Sequence, residues 1–219
     1  MDNHDLVTAL SELRFFGKVA AGVSHEIKNS LAVIKEKAGL AQDLLALAEK
    51  GRPLDLGRLK EMMEKIIQRV DLTDQNVKDL SRFSHSVDDL EKVFDLSETL
   101  LFIARLSERF ARMKNVTLKA IPAPQQLQIS SNPFAFQRLL SLFIDAAIAG
   151  AKGATVEISV HNATPGAEYR FTVPGQSLIM ALADLPLSVQ ELVSLLNAQI
   201  IADSNNRATI LRFPKIISG

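Results

Sequence analysis

The sequence contains no cysteine, which excludes disulfides, thiolate metal ligands and cysteine nucleophiles. It has no excess charge either, because 25 basic and 25 acidic side chains give a formal net charge of zero. We therefore expect no nucleic-acid partner that needs a broad basic surface. No apolar run approaches the ~20 residues of a membrane span. The first residues also lack the basic and apolar regions of a signal peptide, so we expect a soluble, cytoplasmic protein.

What the sequence does contain is a long helical pattern in its first quarter. The 219 residues, 47% of them hydrophobic, suffice for one large domain or two small ones. Residues 6 to about 48 lack proline, and apolar side chains recur there at alternating steps of three and four. The members of this stripe are Leu13, Phe16, Ala20, Val23, Ile27, Leu31, Ile34, Ala38, Ala41, Leu45 and Ala48. The pattern predicts one helix over the whole stretch.

Two glycines and a proline between residues 51 and 57 interrupt the pattern, and a second stripe follows. Its members are Leu59, Met63, Ile66, Val70, Thr73, Val77, Leu80, Ser84 and Val87. The two stripes predict an αα-hairpin. Because two helices bury only a narrow seam, we expect a homodimeric four-helix bundle joined through residues 6–90. Its predicted core contains Ile27, Ile34, Ile66 and Val70. The alternative is a monomer whose hairpin packs on the second half of the chain.

The second half has a different texture, with shorter helices and strands. Asp95 and Glu98 are spaced as in a capping box, and Asn132 before a proline is a typical helix start. A later helix is expected near residues 188–198. Strands are expected around residues 116–120, 127–129, 155–161, 168–173, 199–202 and 207–213. The sequence thus predicts an α+β protein, with a helical hairpin in residues 1–93 and an α/β sandwich in residues 94–219.

Histidine is scarce, and one of the four, His25, has unusual surroundings. It lies two residues after Val23 and two before Ile27, both on the stripe, so at ~100° per residue it points to solvent. An exposed imidazole keeps one nitrogen free for nucleophilic attack near neutral pH. Glu26 follows directly and can orient the ring or take its proton, and Asn29 lies beside it one turn later. These three are the candidate catalytic residues.

The segment Phe16–Leu31, FGKVAAGVSHEIKNSL, resembles the phosphoacceptor box of two-component sensor histidine kinases. In that family the box reads His-Glu-apolar-Lys/Arg-Asn/Thr-Pro-Leu and lies in the first helix of a dimeric hairpin. Ser30 replaces the proline here, so we expect a less kinked helix. The resemblance implies that His25 accepts a phosphoryl group. It also implies that Glu26 assists proton handling and that Asn29 occupies the position used for dephosphorylation.

The resemblance continues through Ser81–Ser84 and Phe94–Glu98, and Asn132–Leu140 resembles the start of the same family's ATP-binding domain. Asp145 stands where the family has a Mg²⁺-binding asparagine, and it can in principle bind Mg²⁺. The family's adenine-binding Asp-x-Gly-x-Gly is replaced by Pro174–Ser177, and no glycine-rich nucleotide lid follows. The resemblance therefore implies that the fold is kept but that ATP is not bound by the usual route. We expect no stably bound cofactor and no resident metal, with Mg²⁺ supplied by a partner.

Three functions follow from these observations. We favour a histidine phosphotransferase of a two-component phosphorelay, in which His25 exchanges phosphoryl groups with aspartates of response-regulator receiver domains without using ATP. An ATP-dependent histidine kinase with a divergent nucleotide site is the first alternative, kept open by Asp145. A non-catalytic dimeric signalling scaffold is the second. His85 is interpreted as a surface residue, no chemistry is assigned to His161, and no pair of histidines has the spacing of a metal site.

Overall fold

The computed structural model describes residues 3–151, 153–175 and 185–214. Its internal contacts divide the chain into two compact units. One unit is the hairpin segment Phe16–Ser84, and the other combines Met1–Phe15 with His85–Gly219.

The hairpin consists of two long helices. Helix α1 spans Asn3–Glu49 without interruption, and helix α2 spans Leu56–Ser84. The turn between them contains Gly51 at a φ of 86°, a conformation that glycine adopts readily. Asp55 then caps α2, since its Oδ1 accepts a hydrogen bond from the backbone N–H of Arg58 at 2.9 Å. The predicted αα-hairpin is confirmed, and α1 passes through the position of the family's proline as a regular helix.

Within the hairpin unit, the buried side chains follow a narrower line than the predicted stripes. The buried residues of this unit are Val19, Val23, Ser30, Ala41, Met62, Asp79 and Phe83. Ile27, Ile34 and Ile66 are half-buried, whereas Val70 is exposed. Leu31 and Leu45 also belong to the predicted stripe and are exposed as well. The physical reason is width: each helix carries more apolar surface than one neighbouring helix covers.

The other unit contains shorter elements, preceded by a 3₁₀ turn at His85–Val87. Its helices are α3 (Leu96–Met113), α4 (Pro133–Gly150) and α5 (Leu187–Leu195). Its strands are β1 (Lys92–Asp95), β2 (Thr117–Ile121), β3 (Gln128–Ser131), β4 (Thr155–Asn162), β5 (Ala167–Thr172), β6 (Gln199–Asp203) and β7 (Ala208–Phe213). Every helix and strand predicted in this half is found with bounds shifted by a few residues, and β1 is an additional strand.

These elements form an α/β sandwich. The main sheet has the order β2-β4-β5-β7-β6, with β2 and β4 parallel and the other neighbours antiparallel. Strands β1 and β3 form a separate antiparallel pair. The rings of Phe136 and Phe143 on α4 lie 4.7 and 5.7 Å from those of Phe213 and Phe171 on the sheet. The predicted architecture, a long helical hairpin followed by an α/β sandwich, is confirmed.

Helix α4 is the main helix of this core. Among the described residues, it alone is long and apolar enough by composition to cross a membrane, with a mean hydropathy of 1.2. However, 67% of it is buried inside the protein, as expected for a core helix. Asn132 caps it through a 2.8 Å hydrogen bond from the N–H of Ala135 to its Oδ1, and Pro133 is its first residue.

Asp95 joins two parts of the α/β unit through its carboxylate. Oδ1 accepts the backbone N–H of Glu98 at 2.9 Å, which caps α3 as the sequence predicted. Oδ2 accepts the backbone N–H of Leu127 at 3.0 Å, at the approach to β3. The Asp95 side chain and Leu127 are both buried, so the N–H of Leu127 depends on this carboxylate for a partner, whereas Glu98 is exposed.

We expect Asp95→Ala to lower the free energy of unfolding by about 3 kcal/mol, because it leaves the buried N–H of Leu127 unsatisfied and removes the cap of α3. Chemical denaturation monitored by circular dichroism measures this change. Asp55→Ala is the matched control: it removes the exposed cap of α2, where water replaces the lost bond, and should cost about 1 kcal/mol or less. Equal losses in the two variants would contradict the role assigned to Asp95.

A buried carboxylate links two strands of the main sheet. Glu168 on β5 has a side chain only 1% exposed. It accepts hydrogen bonds from Nε of Arg170 at 2.7 Å and from Nη2 of Arg212 on β7 at 2.7 Å. Burial by itself raises the pKa of Glu168, but the two arginines outweigh it and hold that pKa below its ordinary value.

The lowered pKa of Glu168 predicts a loss of stability in acid. A carboxyl with a depressed folded-state pKa stabilises the protein above its unfolded-state pKa of about 4.3, and this contribution is lost as the pH falls through the folded-state value. We expect Glu168→Gln to lower the free energy of unfolding at pH 7 by about 3 kcal/mol, since it leaves two partly buried arginines without their anion. Denaturation curves from pH 7 to 3 should then show a smaller acid dependence for the variant than for the original protein. Parallel pH profiles would contradict this role.

Candidate functional site

The candidate site lies on α1, where local helix geometry directs His25 outward. Val23 is buried in the hairpin, and a residue two positions later points roughly 200° away from it around the helix. The His25 side chain is accordingly 49% exposed, as the sequence predicted. The ring is therefore accessible from solvent.

Two polar side chains approach the same nitrogen of the His25 ring. Asn29 lies one turn further along α1, and its Nδ2 donates a hydrogen bond to His25 Nδ1 over 3.0 Å. Glu26 Oε1 is 3.9 Å from the same nitrogen, and its side chain is 28% exposed. Because an amide N–H can only donate, this arrangement makes Nδ1 an acceptor and leaves the ring proton on Nε2. The structure thus brings His25, Glu26 and Asn29 together as expected from their spacing.

Ser30 follows Asn29 on α1 and is 2% exposed. It occupies the position where the resembling family has proline. A serine keeps its backbone N–H, so the hydrogen-bond ladder of α1 continues through the site and the helix stays regular. The buried face of α1 therefore holds the polar face in one orientation.

The other histidines have different settings. His85 Nδ1 lies 2.8 Å from Asp88 Oδ2, in the turn after α2, and its side chain is 75% exposed. His161 Nε2 lies 2.7 Å from Ser159 Oγ on β4. His85 is thus a surface residue with its own carboxylate partner, as interpreted from the sequence, and it provides a matched control for His25.

Helix α4 belongs to the region whose sequence resembles an ATP-binding domain, and part of this helix is buried on all sides. Residues Ala135–Ser141 of α4 are all buried, and successive helical residues point ~100° apart, so this run covers the helix on every side. Asp145, the candidate Mg²⁺ position, is half-buried one turn later. After β5 the chain turns through Pro174 and Gly175, with Gly175 at a φ of 77°. The predicted lack of a glycine-rich lid concerns residues 176–184, which lie outside the described residues.

Sequence reasoning missed part of one surface of the hairpin. A line of exposed apolar side chains follows α2 at heptad-like spacing: Met63, Ile67, Val70 and Val77. We call this line the α2 outer stripe. Met63, Val70 and Val77 are members of the stripe that was predicted to be buried, whereas Ile67 is not. The spacing of four, three and seven residues along the α2 outer stripe was nevertheless readable from the sequence.

Comparison with known proteins finds likeness among solved structures alone. No family model matches the chain, and no curated protein matches it. The histidine kinase AdeS of Acinetobacter baumannii is 14% identical with a TM-score of 0.46, over 83% of this chain and 97% of that one. The ATP-binding domain of PrrB from Mycobacterium tuberculosis is 15% identical with a TM-score of 0.44, over 59% of this chain and 100% of that one.

A third similar structure is the blue-light activated histidine kinase EL346 of Erythrobacter litoralis. It is 15% identical with a TM-score of 0.46, and the match covers 72% of this chain and 59% of that one. At these identities and TM-scores, the similarity concerns the backbone fold and carries no argument about activity.

Proposed function

We propose that this protein is a histidine phosphotransferase of a two-component phosphorelay, exchanging phosphoryl groups between His25 and aspartates of response-regulator receiver domains. The observation that carries the proposal is the exposed imidazole of His25 with Asn29 and Glu26 beside its Nδ1. Both contacts are on Nδ1, so among the described residues Nε2 is the nitrogen left for an incoming phosphoryl group. The proposal places the protein in the cytoplasm with its receiver partners.

The chemistry needs no nucleotide, because an aspartyl phosphate is already an activated donor. The lone pair of Nε2 attacks phosphorus, an N–P bond forms, and the P–O bond to the aspartate breaks to release a carboxylate. Mg²⁺ carried by the receiver would supply positive charge for the phosphoryl oxygens. Nε2 can attack only after its proton has moved, so the reactive ring carries its proton on Nδ1. Glu26 Oε1, 3.9 Å from Nδ1, is near enough to balance the positive charge of the phosphorylated ring.

The geometry at Nδ1 predicts opposite roles for the two neighbours. Glu26→Ala should slow transfer by about 10²-fold, because the protonated Nδ1 loses its anion. Asn29→Ala should leave transfer largely intact, because Asn29 donates to Nδ1 only in the resting tautomer; it should lengthen the lifetime of phosphorylated receiver where hydrolysis occurs. Rapid-quench measurement of phosphoryl transfer checks both. A transfer defect larger in Asn29→Ala than in Glu26→Ala would reverse the assignment.

We also propose that the chain does not use ATP. Three observations support this: the sequence has no Asp-x-Gly-x-Gly after β5, the described turn there is Pro174-Gly175, and Ala135–Ser141 of α4 are buried on every side. Asp145 is the one feature that favours an ATP-dependent kinase, since its carboxylate is half-buried at the position that the resemblance assigns to Mg²⁺. In a non-catalytic scaffold, by contrast, the arrangement of His25, Glu26 and Asn29 would have no function.

A homodimer completes the proposal. The α2 outer stripe and the exposed Leu31 and Leu45 of α1 leave each helix with an apolar line that its own hairpin does not cover. A second copy presents the same lines, and a four-helix bundle would bury them together.

Labelling experiments separate the phosphotransferase from the kinase. Incubated with radiolabelled ATP and Mg²⁺ alone, the protein should remain unlabelled. Incubated with receiver domains charged by radiolabelled acetyl phosphate, it should acquire a label that is lost in acid and stable in base, as phosphohistidine is. Labelling from ATP alone would establish the kinase instead. Calorimetry with MgATP at millimolar concentration provides an independent check, and no heat of binding is expected.

A further inference from the structure

Arg138 on α4 is a charged side chain in the interior of the α/β unit, only 3% exposed. Its Nη2 donates a hydrogen bond to Ser11 Oγ at 2.7 Å, and its Nη1 lies 3.4 Å from Glu12 Oε1. Both partners belong to the first turns of α1, which pack with this unit. A buried guanidinium needs a hydrogen-bonded anion nearby, so this contact fastens the start of α1 to α4.

A second contact lies one turn further along α1. Phe15 is 8% exposed, and its ring centroid is 5.5 Å from that of Phe134 on α4. Phe15 and Ser11 are four residues apart, so they lie on the same face of the helix. Two anchors, one charged and one aromatic, therefore hold residues 3–15 against α4. We call these residues the N-terminal strap.

Beyond the anchors, the strap is loosely packed. A cavity of about 440 Å³ lies between the strap and α5, lined by Thr8, Ala9, Glu12, Arg138, Ser188, Glu191, Leu192 and Leu195. On the strap itself Leu6, Val7 and Leu10 are exposed. A helix segment held at two points beside a cavity loses few other contacts when it detaches, so its release depends mainly on these two anchors.

We propose that the N-terminal strap is a releasable cover over α4 and α5, latched by Arg138. The unit contains a second anion for the released state, because Glu191 on α5 lines the same cavity as Arg138. With the strap in place, Arg138 is held by Ser11 and Glu12 and also faces Glu191; with the strap detached, Glu191 is the anion that remains. The gain or loss of the two strap partners therefore sets whether this face of α4 is covered. The inference does not depend on phosphoryl transfer.

Hydrogen exchange measured by mass spectrometry tests the latch with variants of opposite sign. Ser11→Ala combined with Glu12→Gln removes the closed-state partners and should accelerate exchange of the amides of residues 6–15 by about tenfold or more. Glu191→Gln removes the anion that would remain beside Arg138 in the open state, whereas the closed state keeps Glu12, so it should slow exchange of the same amides. Glu36→Gln removes an exposed carboxylate elsewhere on α1 and serves as the control, with no change at residues 6–15.

Three results would overturn the proposal: unprotected exchange of residues 6–15 in the original protein, no acceleration in the double variant relative to Glu36→Gln, or acceleration in Glu191→Gln. A cross-linking experiment gives an independent answer, because the chain has no cysteine of its own. Ala9→Cys with Ser188→Cys places two thiols on the same cavity, and a short bis-maleimide should join them within one chain. The added Ser11→Ala and Glu12→Gln changes should reduce this product several-fold, and equal yields would contradict a latch.

Discussion

Replacing His25 by glutamine is expected to abolish phosphoryl acquisition from a charged receiver domain. Glutamine is similar in size and can accept the Asn29 amide, but it has no nucleophilic nitrogen, so the rate should fall by about a thousandfold or more. The side chain is 49% exposed and lies opposite the buried Val23, so circular dichroism and molecular mass should not change. The measurement is the initial rate of label transfer from the receiver.

His85→Gln is the matched control for this experiment. His85 is also exposed and also has a carboxylate within 4 Å, Asp88, but it has no partner placed like Asn29 at i+4. Its loss should leave transfer unchanged. Transfer that survives in His25→Gln, or disappears in His85→Gln, would remove His25 from the proposed mechanism.

Placing an aspartate at Ile67 is expected to convert the proposed dimer into a monomer. Ile67 is 60% exposed within one chain, so a charge there leaves the isolated hairpin nearly undisturbed. In a symmetric bundle the α2 outer stripe is buried, and the substitution buries one unpaired carboxylate from each copy, at a cost of several kcal/mol. Light scattering at micromolar concentration should report a mass near the 24.0 kDa of one chain for the variant and twice that for the original protein.

Leu90→Asp is the control for the assembly experiment. Leu90 is 85% exposed and lies in the α/β unit, so an aspartate there should leave the dimer intact. If the original protein is monomeric, the four-helix bundle is wrong. If Ile67→Asp remains dimeric, the α2 outer stripe is not the contact.

Several parts of the fold were predictable because their causes are local. The three-and-four spacing of apolar residues predicted both helices of the hairpin, since that spacing is a property of a single helix. Asp95 and Asn132 predicted the starts of α3 and α4, because a capping side chain bonds an N–H three residues ahead of it. Strand β1 was missed, because its four residues are paired by β3, more than thirty positions away.

The same distinction holds for the functional residues. The orientation of His25 and its closeness to Asn29 follow from helix geometry over four residues, so the sequence by itself determined the candidate site. The sequence also showed which face of each helix is apolar. Which residues of that face become buried, however, depends on the position of the neighbouring helix. Only the folded hairpin decided that Met62 lies inside and that Leu31 and Ile67 lie outside.

The buried charges depended entirely on tertiary structure. Arg138 meets Ser11 across 127 positions of sequence, and Glu168 meets Arg212 across 44. Nothing in the local sequence distinguishes these residues from the many solvated charges of a chain with 25 basic and 25 acidic side chains. A charge acquires a structural role when folding removes water from it and places a specific partner within hydrogen-bond distance, and both conditions arise only when distant segments pack together.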